Sequence, residues 1–198
     1  MLFRSRAKPV FEVVILSALL HSAILMGYSQ VLPVFAKDIL NVDARGLGIM
    51  ASAAGVGSLG GLLSYTWLQT RTQPHGVMVT SLTAYSLALI GVAWSDWLWI
   101  SVALLVVIGL AHAYFMTSCQ VIIQTLVDDN YRGRVMRVFT MVWSLVYLSA
   151  FLLNLTGSMV GPRHALTGAS GIILVYTWLY LVRNRSEEHT SELQSHHD

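Results

Sequence analysis

The chain has 198 residues, of which 55% are hydrophobic and 11% charged, about half the charged share of a soluble domain. A soluble fold has no place for that much apolar surface, and a formal charge of +2 spread over a few basic residues makes no nucleic-acid patch. A single cysteine, Cys119, excludes an internal disulfide and a cysteine metal cluster.

Six stretches without Asp, Glu, Lys or Arg follow one another: Val13–Ala36 (24 residues), Gly46–Thr70 (25), Thr72–Ser95 (24), Trp97–Val127 (31), Val138–Pro162 (25) and His164–Val182 (19). A helix rising 1.5 Å per residue needs about 20 residues to cross a hydrocarbon core about 30 Å thick. The fold class is therefore all-α integral membrane with six transmembrane helices, at roughly 10–37, 45–69, 76–95, 97–127, 135–161 and 164–182 within a unit covering 1–184. The first is too long, and has too many successors, to be a cleaved signal peptide. The second and third are joined by Gln69–Gly76 and the third and fourth by Ser95-Asp96, so these neighbours form antiparallel hairpins.

Loop charges give the expected orientation. Arg4, Arg6, Lys8, Arg71, Arg132, Arg134, Arg137 and Arg183 fall on one side; Lys37, Arg45 and Arg163 fall on the other. Eight against three places both termini in the cytoplasm, because short basic loops stay inside. Trp94, Trp97 and Trp99 at the outer turn suit an interfacial aromatic belt.

The first span carries Ser17, His21 and Tyr28 on one face, with Glu12 and Gln30 opposite. The second is rich in small residues. Gly57 and Gly61 form GxxxG, with Ala53 one turn earlier, which lets a neighbouring helix approach closely. Gly55, Gly57 and Gly60 also spell GxGxxG, but a dinucleotide site needs a preceding strand and an acid about 20 residues on. No Asp or Glu occurs between Arg45 and Asp96, so packing is the reading that fits.

In the fourth span Thr117, Gln120 and Gln124 align, with His112 and Cys119 on another face. In the fifth, Ser144, Tyr147, Phe151, Asn154 and Ser158 form a stripe, and Gly157 with Gly161 makes a second small-residue pair. The sequon Asn154-Leu-Thr156 lies inside a span, out of reach of a transferase. Intramembrane polar groups face protein or water, so three striped helices imply either a wet central cavity or hydrogen bonding between helices. His21 and His112 would suit proton coupling, or each is a packing histidine. Together with Glu12 they are too few, and by face and depth too scattered, for a metal or acid–base centre. No P-loop or cofactor motif is present.

Between the fourth and fifth spans, Gln120–Arg137 concentrates Asp128, Asp129, Arg132, Arg134 and Arg137. Such a loop anchors topology, caps helix ends, or switches charge pairs between two states. The tail from Arg185 to Ser195, part of a segment 185–198 expected to lie outside the fold, resembles the in-frame translation of a sequencing-library adapter. Without it, eleven basic and six acidic residues leave +5. Its histidines, His189, His196 and His197, are not read as a metal site.

Three segments carry a family resemblance: Leu32-Pro-Val-Phe-Ala-Lys-Asp-Ile-Leu40, Gly46 to Gly61, and Gln124-Thr-Leu-Val-Asp-Asp-Asn-Tyr-Arg-Gly-Arg-Val-Met136. They resemble the C-terminal half of major facilitator superfamily exporters of the enterobactin-exporter type, over essentially all of Pro9–Leu181. The resemblance implies two inverted three-helix repeats, half of a twelve-helix fold that rocks by alternating access around a midplane site. It implies a proton-coupled exporter of drug-like or siderophore-like small molecules, with no cofactor. Its partners would be the bilayer and a missing N-terminal six-helix half. The cavity would be lined from the first and fourth spans by His21, Tyr28, Gln120 and Gln124, with Asn154 from the fifth. Asp128, Asp129, Arg132, Gly133 and Arg134 would bracket the cytoplasmic gate. One departure stands out: the loop at Gln69–Gly76, where many members carry a Gly-x-x-x-Asp-Arg-type gating motif, keeps Arg71 and no acid. The alternative is a self-contained six-helix protein working as a homodimeric half-transporter or scaffold.

Overall fold

The computed structural model describes residues 14–126, 137, 140–142 and 144–195, with side chains as far as Tyr180. Glu12 and the gate candidates Asp128, Asp129, Arg132, Gly133 and Arg134 lie outside the described residues.

Six helices are formed among the described residues. These are α1 (Val14–Asp38), α2 (Ala44–Leu68), α3 (Pro74–Trp94), α4 (Leu98–Leu126), α5 (Leu145–Val160) and α6 (Pro162–Ser195). α1 to α4 are long and apolar enough to cross a membrane, as is the stretch Thr140–Val160 that contains α5. Together with the apolar run of α6 around Ile172, Ile173, Leu174 and Val175, they make a multi-pass membrane protein.

Local chemistry explains where the helices begin and turn. Asp43 caps α2, its Oδ1 accepting from Gly46 N at 3.0 Å, which satisfies an otherwise orphaned amide. Pro74 opens α3, where its missing N–H costs nothing. Gly161, at φ +91°, makes the reversal between α5 and α6 in a region that favours glycine. The backbone of α6 continues as helix to Ser195, beyond the span end expected near 182 and through the adapter-like string. Glu, Arg, Gln and Leu in that string are good helix formers, so helicity does not stop where apolarity does.

The helices alternate in direction. Trp94 Nε1 donates to Thr167 Oγ1 at 3.0 Å, and Tyr180 Oη meets His75 Nε2 at 2.7 Å. α3 and α6 are thus tied antiparallel near both ends. Arg163 pairs with Asp96 beside Trp94, and Asp38 shares a cleft with Arg163 and His164. The ends at Asp38, Asp96 and Arg163 therefore form one side of the bundle; Arg71, His75 and the end of α4 belong to the other.

Packing is reciprocal. α4 lies against α2 and α3, α1 lies against α5 and α6, and α3 against α6 joins the two groups. The α2/α4 crossing is the closest. A Cβ on Gly57 would sit 2.0 Å from the Val106 carbonyl oxygen, one on Gly61 2.8 Å from that of Leu110, and one on Gly109 2.0 Å from that of Ala54. Backbone therefore touches backbone, and Ser58 Oγ reaches across to Gly109 O at 3.2 Å. Ser64 and Tyr114 meet at 2.8 Å, and Ser118 donates to Tyr65 at 3.2 Å, along the same seam. Among the described residues Gly157 makes only ordinary contact, with Pro162 at 3.7 Å, and Gly161 likewise, with His164 at 3.8 Å, both at the α5–α6 turn.

Candidate functional site

The middle of α1 is not a regular helix. From His21 to Leu25 it opens into a π-turn, in which Met26 N donates to His21 O at 3.0 Å. Such a bulge breaks the i→i−4 ladder, and the Gly27 amide turns to another helix, donating to Ser149 Oγ of α5 at 3.0 Å. The approach requires glycine: a Cβ on Gly27 would lie 2.5 Å from Ala150 N. A polar tie between α1 and α5 thus sits one turn from His21.

At the bulge His21 is fully buried, and its Nε2 lies 3.1 Å from His112 Nδ1 on α4. The rings stack at 5.3 Å with 22° between planes. Tyr85 of α3 meets His21 edge-on at 4.9 Å and Phe115 of α4 lies at 4.7 Å. Tyr28 reaches the same cluster through Tyr85, at 6.1 Å. Two buried polar atoms in this nest, His21 Nδ1 and Tyr85 Oη, have no hydrogen-bond partner among the described residues. Among the described residues no set of three His, Cys, Asp or Glu side chains converges as a metal site would. The contact between the two rings is an N–H···N bond in which one ring donates and the other accepts.

The two histidines thus meet, although with Glu12, which lies outside the described residues, they were expected to be too scattered for an acid–base centre. Helical spacing within single helices carries no information on which faces of α1 and α4 meet. Tyr85, Phe115 and Ser149 escaped the sequence reading; a tyrosine in the middle of a charge-free span was the available signal.

The other candidates sit apart from this nest. Ser17 bonds Tyr176 of α6 at 3.1 Å. Gln120 and Gln124 are exposed on α4, toward the end opposite Asp96. Asn154 is also exposed, its Nδ2 donating to Ala150 O at 2.8 Å within its own helix. It lines a cleft of about 610 Å³ at the Asp38 end, between α1, α5 and the start of α6, with Ser158, Arg163 and His164. The α5 stripe is mostly exposed, Tyr147 at 78% and Phe151 at 63%. The structure thus brings His21 and Tyr28 together, and separates both from Gln120, Gln124 and Asn154.

The profile of the Major Facilitator Superfamily matches residues 14–196. No curated protein and no solved structure matches the chain. A match over nearly the whole length, on a bundle of apolar membrane-length helices, establishes that the chain belongs to the Major Facilitator Superfamily.

Proposed function

We propose that this chain is the C-terminal six-helix half of a secondary active exporter, moving small drug-like or siderophore-like molecules outward by alternating access at the expense of the proton gradient. Family membership makes it a membrane transporter of the major facilitator type; direction, coupling and substrate class belong to the proposal. The observation that carries it is the reciprocal packing. The first helix of each triplet lies against the second and third helices of the other triplet: α1 on α5 and α6, α4 on α2 and α3. Exchange of the leading helices between two triplets is what inverted repeats interleaved around a pseudo-two-fold axis would produce.

The exposed polar groups Gln120 and Gln124 on α4 and Asn154 on α5 are the residues offered to a translocation path shared with a second six-helix half. The exposed α5 stripe would meet that half. Eight basic residues against three support cytoplasmic termini in the cell's inner membrane. Asp128, Asp129, Arg132, Gly133 and Arg134 are proposed as the cytoplasmic gate on sequence grounds.

Replacing Gln120 and Gln124 by Ala in the intact transporter is expected to lower export while leaving its amount in the membrane unchanged. Unchanged export would remove both from the path. A homodimer of this chain would use the same α5 face; a stable dimer in detergent that transports in vesicles holding only this chain would replace the half-exporter reading.

A further inference from the structure

We infer that His21 and His112 form a single-proton site in the middle of the bundle, whose loading is transmitted to the π-turn of α1. The neutral pair holds one hydrogen in its 3.1 Å N–H···N contact. With His21 Nε2 as donor, His21 Nδ1 keeps a lone pair, and this atom is buried with no partner among the described residues. A proton delivered by hydronium adds there: one N–H bond forms, an O–H bond of the hydronium breaks to leave water, and the imidazolium charge is shared across a charge-assisted hydrogen bond with His112. The new N–H needs an acceptor. Tyr85 Oη, the other unpartnered buried atom of the nest, belongs to the ring lying edge-on to His21 at 4.9 Å.

The site takes one proton and no more. A second would put two cations on rings 5.3 Å apart, and the described side chains packed on His21, namely Tyr85, His112 and Phe115, include no carboxylate. The titratable side chains around the pair are Tyr28 on α1, Tyr85 on α3, Cys119 two turns beyond His112 on α4, and Tyr176 on α6, held by Ser17. α5 contributes Ser149, through Gly27. Among the described residues of these helices, charged ones occur only toward the ends: Lys37 and Asp38 on α1, Arg163 at the start of α6 and Arg183, Arg185, Glu187, Glu188 and Glu192 in its C-terminal half, with Asp96 between α3 and α4.

Two histidines packed only for shape would not need to sit on a bulge. Here the His21 carbonyl closes the π-turn, its side chain holds α4, and the displaced Gly27 amide holds α5. A charge on the pair therefore acts where α1 is tied to both neighbours, in a helix type associated with functional sites. The inference rests on the exporter reading only for what the proton is used for; binding itself is tested without transport.

The full chain in lipid nanodiscs, with ¹⁵N-labelled histidine, is titrated from pH 8 to 4 by NMR. The expected result is one step in which the rings of His21 and His112, assigned by substitution among the seven histidines, change together and share one added proton, a step lost in His112→Asn and retained in His75→Gln and His164→Gln. Tyr85→Phe keeps the ring and removes the acceptor, and is expected to weaken proton affinity about tenfold. Amide exchange at Gly27 should change across the same step. Two independent steps, uptake of two protons, or no change in either ring overturns the site; a constant Gly27 amide overturns its link to α1. A step that is present in a transporter whose export ignores the proton gradient supports the site and overturns the exporter reading.

Discussion

Replacing Gly57 by Ala places a methyl group 2.0 Å from the Val106 carbonyl oxygen, 2.8 Å from its carbon and 3.0 Å from its Cα. All three are backbone atoms, so no side chain can swing aside. Restoring an ordinary contact of about 3.3 Å requires α2 and α4 to part by more than 1 Å, a gap that forfeits a quarter to a half of each dispersion well along the seam. The Ser58–Gly109 bond at 3.2 Å would open as well, at about 0.6 kcal/mol for a typical interhelical bond in a membrane. With overpacking at 1–3 kcal/mol, the substitution is expected to cost about 2–3 kcal/mol in all. Gly109→Ala meets the Ala54 oxygen at 2.0 Å and should cost about the same. The double variant should fall well short of the sum, since one separation relieves both clashes. Gly55→Ala and Gly60→Ala meet nothing within 4 Å and should be neutral or stabilising by up to about 1 kcal/mol. The chain carries its own reporter: Cys119 is fully buried and is the only cysteine, so its labelling by a thiol reagent under graded denaturant follows unfolding. A Gly57→Ala protein as resistant as Gly55→Ala would refute the close crossing.

Three further outcomes follow from named contacts. Ser149→Ala leaves the Gly27 amide, now accepted at 3.0 Å, without a partner in an apolar setting; a loss of about 1–2 kcal/mol is expected, with faster exchange of that amide. Asp96→Ala breaks the pair with Arg163, whose partners are 74% and 28% exposed; as an accessible ion pair it should matter by less than about 1 kcal/mol, read by the same thiol assay. Tyr65→Phe removes the acceptor of the Ser118 hydroxyl and should cost about 0.6 kcal/mol, with Tyr65→Ala far worse because the ring is itself buried.

The succession of apolar, membrane-length helices and the small-residue face of α2 could be read from the sequence because the membrane makes them one-dimensional quantities: run length, charge spacing and side-chain size. Gly57 and Gly61 were visible as GxxxG, whereas their partner Gly109 stood alone on α4, and only the crossing shows its use. The π-turn at His21 has no sequence signature of its own, since the i→i−4 ladder breaks in response to what α5 offers through Ser149. The His21–His112 contact joins residues 91 positions apart, and helical spacing gives the face of a residue but not the face it meets. The α5 stripe shows the opposite failure. Asn154 and Ser158 align at helical spacing yet bond back to their own helix, so polar periodicity there did not mark an interhelical network.

The alternating-access account is tested most directly by reciprocal labelling. In the intact transporter with Cys119 replaced by Ala, single cysteines are placed at Gln124, near the C-terminal end of α4, and at Asn154, in the cleft at the Asp38 end. Their reaction with a membrane-impermeant thiol reagent applied from both sides is followed as the proton gradient is imposed and collapsed. The account predicts opposite changes, one site becoming accessible as the other closes. Sites that rise and fall together, or that ignore the gradient, would contradict it.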